Sequence, residues 1–461
     1  MLHFFLTHVA TIGGFLLAAV VIAHMLRQRH SSAATAAWLL VIVIVPYVGV
    51  PLYLIFGGRK LQRVAGAKEK IQLPHNADHA PPVAAMDTFL RTYGLPAART
   101  GNTFTLCPTG ERAYQELVNL IEHAEERLCI TTFVLGSDAV GEDIMARLAR
   151  KAQNGVSVKV LLDGVGSLAT RKKTIEPVRR AGGQVKFFMP MVHSPIKGRT
   201  NLRNHRKMAI ADGKVVMAGG TNIASEYIGP QPSPTRWRDI SFILSGPAVQ
   251  DYNEIFRSDW KFASGEVLSD LQTEFPPAAE YDGTTEAQVV PSGPDVAGDP
   301  LYAALLSLIF SARQRIQIVT PYFVPDESLT QALCIAAHRG IDLQILVPQR
   351  SNHRLADIAR TTYLRDVQHA GGRILLYPEG MVHAKVCIQD SAVAIIGSAN
   401  FDMRSLFLNY EAALFVYGAD EIAAIEDWVA DLARAGQEGV REVGAVQDVC
   451  QGVVRMMPPL L

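Results

Sequence analysis

The sequence predicts an α/β protein of two pseudo-symmetric lobes, each a mixed, mainly parallel sheet flanked by helices, behind an amino-terminal two-helix transmembrane hairpin. Three observations carry this prediction. Two uncharged apolar runs open the chain, an alternation of strand-like and helix-like segments occurs twice, and a pattern of His, Lys, Asp, Gly and Asn returns at a constant offset.

The apolar runs come first. FFLTHVATIGGFLLAAVVIAHML, Phe4 to Leu26, contains no Asp, Glu, Lys or Arg. It is long enough to cross a hydrocarbon core of ~30 Å at ~1.5 Å per helical residue. After RQRHSS comes a second uncharged run, Ala33 to Phe56, in which Pro46 and Pro51 each remove a backbone donor and predict a kinked or re-entrant helix. A cleaved signal peptide fits poorly, because no positive charge precedes the first run and it exceeds the usual ~7–15-residue apolar segment. Five cations (Arg59, Lys60, Arg63, Lys68, Lys70) follow the second run, against Arg27 and Arg29 in the connecting loop. By the positive-inside rule the following domain lies on the cytoplasmic face.

Composition narrows the function classes. The 461 residues suffice for two core-forming units, and 49% of them are hydrophobic. Five cysteines (Cys107, Cys129, Cys334, Cys387 and Cys450) lie far apart with no CxxC pair, so neither a disulfide framework nor a zinc site is predicted. The chain carries 44 basic and 44 acidic side chains. Seven of the basic ones and a single acid precede residue 71, leaving 37 basic against 43 acidic side chains, a net of −6, in the body. Such a body lacks the excess of cations on which general nucleic-acid binding rests, and no nucleic-acid partner is expected.

The predicted boundaries are a membrane hairpin at 1–58, a linker at 59–105 that is first basic and then rich in Pro and Ala, a first lobe at 106–285 and a second at 286–461. In the first lobe GERAYQELVNLIEHAEE has helical apolar spacing and RLCITTFVL is a strand. EDIMARLARKAQNG is then a helix stopped by Gly155, and VSVKVLLDG is a buried strand. The second lobe repeats the order with DPLYAALLSLIFSARQ, RIQIVTPYFV, ESLTQALCIAAHRG and IDLQILVP. RRAGGQVKFF and QHAGGRILLY close the run in each half. Strands alternating with helices of this length imply βαβ crossovers.

The repeated pattern carries the chemistry. NHRKMAIADGKVVMAGGTN (Asn204–Asn222) and HAKVCIQDSAVAIIGSAN (His383–Asn400) share a skeleton. His205 and His383, Lys207 and Lys385, Asp212 and Asp390, Gly219 and Gly397, and Asn222 and Asn400 are each 178 apart. His and Lys two apart on a strand share a face, and the Asp marks the turn beyond it. Lys and Asn are donors suited to phosphoryl oxygens, and two imidazoles supply a nucleophile and a proton donor. The ammonium groups take the place of a metal ion, so no metal and no cofactor is expected.

These segments resemble the paired HxKxxxxD motifs of the phospholipase D superfamily. The surrounding RWRDISFILSGPAVQDYNEIFRSDW, TPYFVPDESLTQAL and GSANFDMRSLFLNYE are similar to bacterial cardiolipin synthases of that superfamily. The resemblance covers nearly the whole chain and implies two phospholipase D-like lobes and a phosphohistidine mechanism. His205 would attack phosphatidylglycerol and His383 would protonate the departing glycerol. Lys207, Lys385, Asn222 and Asn400 would hold the phosphoryl oxygens. The resemblance further implies that Glu226 and Glu411 orient the imidazoles and that Asp212 and Asp390 are structural partners of the motif rather than bases. It also implies anionic membrane lipids as partners and a multi-pass location in the bacterial inner membrane. Internal symmetry does not distinguish the two histidines. One departure is GGTN in the first copy, where the superfamily pattern has GSxN.

Other readings of the same motifs are another phospholipase D-type phosphatidyltransferase or phospholipase, a nuclease, and a non-catalytic membrane scaffold. The first lobe also carries an insertion, since Gly183 to His205 spans 22 residues and Gly372 to His383 spans 11. The basic stretch from Arg171 to Lys207, including Lys197, Arg199 and Arg203, is read as a strip lying against the anionic membrane.

Overall fold

The computed structural model describes residues 14, 18–19, 21–23, 32–47, 49–50, 53, 68–73, 84–189, 202–268 and 282–441. In the first half, β1 (Arg99–Cys107) leads through the helix Gly110–His123 to β2 (Arg127–Thr132). The helix Ala139–Gln153, β3 (Ser157–Asp163), the helix Lys172–Arg180 and β4 (Gln184–Phe188) follow. The hairpin β5 (Met208–Ala211) and β6 (Val215–Gly219) then precedes β7 (Ser241–Ser245) and the helix Val249–Ser264.

The second half opens with β8 (Thr285–Ser292), the helix Pro300–Ser311, β9 (Arg315–Val319) and the short β10 (Phe323–Val324). It continues with the helix Glu327–His338, β11 (Asp342–Pro348), the helix Arg354–His369, β12 (Arg373–Tyr377) and the hairpin β13 (Val386–Gln389) and β14 (Val393–Gly397). It closes with β15 (Phe401–Asp402), the helix Met403–Phe407, β16 (Glu411–Val416), the helix Ala419–Ala435 and β17 (Gln437–Glu438).

Local chemistry sets the ends of these elements. Asp138 caps the helix Ala139–Gln153 by accepting from the amides of Val140 and Gly141, and Asp326 caps Glu327–His338 through Leu329. The two helices stop before Gly155 and Gly340, whose φ angles of 92° and 83° a side chain would resist.

A single sheet runs β17-β12-β11-β9-β13-β14-β16-β8-β1-β7-β6-β5-β2-β3-β4. Counted outward from the β8–β1 seam, each strand but the terminal β17 meets its sequence equivalent on the other side, so the lobes are related by a pseudo-twofold at the seam. Among the described strands, parallel pairing is confined to β2–β3–β4, β9–β11–β12 and the small β10–β15 pair. The expectation of mainly parallel sheets is therefore corrected: the sheet is mixed, and antiparallel pairs predominate. Helical crossovers return a strand in the same direction, whereas the tight hairpins of the repeated motif cannot, and antiparallel β1 and β8 join the lobes.

Helices cover both faces. On one face of the first lobe, Leu117, Ile121, Ile144 and Leu148 bury against Val158 and Val160. On the other, Tyr252, Phe256 and Trp260 of the helix Val249–Ser264 belong to a core that continues into the second lobe through Val289 and Leu414. Each large apolar side chain so buried contributes about 1.5–3 kcal/mol, so the seam is held as an interior is held.

The expected linker spans 59–105. Its described residues include the helix Ala85–Arg91, most of β1 and the buried Lys68. Nearer the amino terminus the helix Ser32–Ile44 is interrupted at Val45, directly before Pro46. Ala18 and Val21 of the first apolar run share a buried cluster with Ile42, Val50 and Tyr53 of the second. Among the described residues no helix is long and apolar enough to cross a membrane. Most of the first expected span, and the end of the second, lie outside the described residues.

Candidate active site

Each motif is built on a hairpin whose turn has two residues at positive φ: Asp212 (53°) with Gly213 (70°), and Asp390 (53°) with Ser391 (54°). The turns close through Lys214 N to Ala211 O and Ala392 N to Gln389 O, both 2.9 Å. The aspartates make these turns possible. Asp212 accepts from the amides of Glu125, Glu126 and Arg127 at 2.8–2.9 Å, and Asp390 from those of Arg313, Gln314 and Arg315 at the same distances. Both carboxylates are thus spent at the turn, at the far end of the hairpin from the histidines. They lie outside the group of side chains that meets at the seam.

At the motif's other end the two lobes exchange partners. His205 Nδ1 lies 3.0 Å from Glu411 Oε1, and His383 Nδ1 lies 2.7 Å from Asp239 Oδ2, so each histidine is held by an acid of the opposite lobe. The backbone crosses in the same way: His205 N donates to Tyr410 O (2.9 Å) and His383 N to Arg238 O (2.7 Å). A carboxylate at Nδ1 accepts a hydrogen bond from the proton held there and leaves Nε2 with its lone pair. Phe133 stands edge-on to His205, with ring centroids 4.9 Å apart. Tyr227 and Trp237 flank His383 at 5.0 and 5.5 Å. Lys207 Nζ donates to His205 O at 2.6 Å, and Lys385 Nζ lies against His383 and its carbonyl.

The four basic side chains are almost wholly buried and sense one another across the seam. Burial, reinforced by Lys207 and Lys385 and only partly opposed by Glu411, pushes His205 down to about 4. Burial and then Lys385 push His383 down to about 3, with Lys207 adding to the effect. Burial likewise lowers Lys385 to about 8, and Lys207 falls well below the ordinary lysine value. Glu411 and Asp239 stay below the ordinary carboxylate range, because His205 for the one, and Lys385 and His383 for the other, outweigh a burial effect of opposite sign. The site therefore pairs neutral imidazoles with ionised acids.

Glu226 does not reach either imidazole. It is exposed, and Asp239 takes the place expected for it. The signal was present in strand register: Ser241 pairs with Gly219 and Ala413 with Gly397, so Asp239 and Glu411 stand at equivalent positions. The same register explains GGTN. A Cβ at Gly220 would lie 2.1 Å from Asp239 Oδ1, whereas Ser398 donates its hydroxyl to the longer Glu411.

Asn222 accepts from Val134 N (3.1 Å) and Thr132 Oγ1 (3.4 Å) through its amide oxygen, and its side chain also hydrogen-bonds with that of Tyr227, which flanks His383. Asn400 is buried beside Asp402, whose carboxyl is raised by its own burial and interacts with Lys385. Of the basic strip, Arg171, Lys172 and Lys173 are exposed. Arg203 is not on the surface: it is buried, donates to Met189 O and lies 3.6 Å from Asp163. Residues 190–201, with Lys197 and Arg199, lie outside the described residues.

The turn aspartates predict an acid sensitivity. Burial acts to raise Asp212 and Asp390, but three backbone amides on each outweigh it and hold both below the ordinary aspartate value. A depressed folded-state pKa gives a contribution that is complete above the unfolded value of ~3.9 and lost as pH falls through the folded value. Thermal denaturation followed from pH ~5 to ~2 is expected to fall more steeply for the wild type than for D212N/D390N, with the curves converging at the acid end.

This arrangement of two lobes, two hairpins and crossed imidazole–carboxylate pairs is that of a phospholipase D-like enzyme. A family model described as "Cardiolipin synthase, PLD-like domain" matches residues 117–260 and 305–433, and one described as "Phospholipase_D-nuclease N-terminal" matches residues 16–58. The cardiolipin synthase of Listeria monocytogenes serotype 4a (strain HCC23) is 32% identical over 419 residues, covering 87% of each chain. That of Clostridium perfringens (strain SM101 / Type A) is 30% identical over 461 residues, covering 94% of this chain and 95% of its own. Among solved structures, the phosphatidylserine synthase of Haemophilus influenzae Rd KW20 matches with a TM-score of 0.62 over 81% of this chain and 100% of that one. At 14% identity this is a likeness of fold. The chain belongs to the cardiolipin synthase family of phospholipase D-like proteins.

Proposed function

We propose that the protein transfers a phosphatidyl group from one phosphatidylglycerol to another through a phosphohistidine, releasing glycerol. The observation that carries this reading is the crossed pairing of His205 with Glu411 and His383 with Asp239, which readies two Nε2 atoms from two lobes in one buried site. In the first step His205 Nε2 bonds to phosphorus, the bond from phosphorus to the glycerol oxygen breaks, and His383 gives that oxygen its proton. In the second, His383 takes a proton from a hydroxyl of another phosphatidylglycerol. The resulting oxygen attacks phosphorus, and the bond to His205 breaks.

His383 takes up a proton from solvent as the anionic diester enters, because the diester's charge opposes the effect of Lys207 and Lys385. The two ammonium groups, with Asn222 and Asn400, stabilise the equatorial oxygens as charge builds. Asp212 and Asp390 serve the hairpins.

In this reading the amino-terminal runs form a hairpin in the bacterial inner membrane and the body lies on its cytoplasmic face. Exposed Val165 and Leu168 follow β3 on a loop whose Ser167 bonds to Phe133 O, with Arg171, Lys172 and Lys173 just beyond. In the other lobe exposed Leu355 and Ile358 adjoin His353, which stacks edge-on to Tyr322, with Arg350 and Arg354 alongside. Apolar and basic side chains together on both sides of the site suit an anionic lipid surface.

The test is the purified protein with phosphatidylglycerol labelled in its headgroup. Cardiolipin and free glycerol in equal amounts are expected. Phosphatidic acid in place of cardiolipin would show a hydrolase, and product only with an added alcohol would show a different acceptor.

A further inference from the structure

Lys68 stands twelve residues after Phe56, the end of the second apolar run, yet it is 3% exposed. Its ammonium lies 2.5 Å from Asp259 Oδ1 and also contacts Asp295. The same two carboxylates hold Arg206, at 2.7 Å from Asp259 and 3.2 Å from Asp295, and all four side chains are withdrawn from solvent. The cluster is thus electrically balanced, two cations against two anions.

Its surroundings are the motif itself. Arg206 Nε donates to Glu411 O at 3.0 Å, and Asn204 Nδ2 donates to Asp259 Oδ2 at 2.9 Å. Asn204 and Arg206 are the two neighbours of His205 in the chain. Tyr410, whose carbonyl receives the His205 amide, has Lys68 Nζ 5.0 Å and the Arg206 guanidinium 5.6 Å from its ring centre. Ile71 N donates to Asp295 O at 3.0 Å, and Glu69 pairs with Lys261 at 2.7 Å, so the segment around Lys68 is docked over several residues.

We propose that Lys68 is a positioning residue: the segment that follows the membrane-anchor region completes the ionic cluster beneath His205 and Glu411, and so sets the geometry of the imidazole–acid pair. The physical reason is charge. Without Lys68, Asp259 and Asp295 share the single cation Arg206 and leave a net negative charge in a site closed to water. Arg206 is then drawn further toward the carboxylates and away from the Glu411 carbonyl, and Asn204 follows Asp259. A displacement of about 1 Å at a reacting group costs up to about 100-fold in rate. The segment near the membrane is therefore part of the active site's support as well as its tether.

The inference rests on the phosphatidyl-transfer reading, and the two fail separately: a wild type without transfer activity rejects that reading, whereas Lys68 is judged only against an active wild type. Full-length K68M is expected to lose about 10- to 100-fold in kcat for transfer while KM for phosphatidylglycerol in mixed micelles and binding to vesicles stay unchanged. K68M/D295N removes the excess charge and is expected to recover most of the lost kcat, and it remains the decisive variant if K68M does not fold. Wild-type kcat in K68M would overturn the proposal. So would a folded K68M/D295N as impaired as K68M, which would make Lys68 a packing element only.

Discussion

Glu411→Gln is expected to lower kcat for phosphatidyl transfer by roughly 10³- to 10⁴-fold, and Asp239→Asn to act similarly, while Glu226→Gln stays within about twofold of wild type. Glutamine keeps the volume of Glu411 and, with its carbonyl oxygen at the Oε2 position, the hydrogen bond from Ser398, while Asn409 loses its acceptor at Oε1. The glutamine NH2 group donates to His205 Nδ1 where the carboxylate accepts. The imidazole then carries its proton on Nε2, the atom required as nucleophile, and any positive charge formed at the ring has no buried anion beside it. Asp239 stands in the same relation to His383 at 2.7 Å. Glu226 is exposed and holds neither ring, so its amide variant is the control. Steady-state transfer rates of the three variants, with thermal denaturation alongside, make the comparison. Equal losses in E226Q and E411Q would overturn the crossed assignment.

His205→Ala and His383→Ala are each expected to cost about 10⁴- to 10⁶-fold in transfer, with the double variant little worse than either, because the two imidazoles act on the same phosphorus. They should differ in the intermediate. A substrate whose leaving group departs without a proton still phosphorylates His205 in H383A, so labelled lipid remains attached to that protein after acid-free denaturation. H205A retains no label. Label on H205A and none on H383A would reverse the roles, a distinction that the pseudo-twofold does not make.

Much of this site was legible before any fold was known. His205, Lys207, Asn222 and their partners at the offset of 178 carry their chemistry in residue type, and a strand's period of two places His and Lys together without tertiary knowledge. The Asp-Gly and Asp-Ser turns are local as well, because positive φ at adjacent residues is a short-range demand. The resemblance pointed to Glu226 as the first lobe's acid, whereas the carboxylate beside His383 Nδ1 is that of Asp239. The first lobe takes 34 residues from His205 to Asp239 and the second 28 from His383 to Glu411, so position in the chain misaligns what strand register aligns. The direction of the sheet was overread from its helical crossovers, since hairpins and the seam add antiparallel pairs that leave no separate mark in apolar periodicity.

The chain's own order of residues thus determined the doubled α/β halves, the identity of the two imidazoles and two ammonium groups, and the uncharged amino-terminal runs, all consequences of composition and short-range geometry. Tertiary structure alone decided that each histidine is held by the other half's acid, that Asp212 and Asp390 accept from the distant amides of Glu125, Glu126 and Arg127 and of Arg313, Gln314 and Arg315, and that Lys68 reaches beneath His205. Those contacts join atoms far apart in the chain, and their partners are chosen by burial: a charge removed from water must find its counterion wherever the packed core presents one.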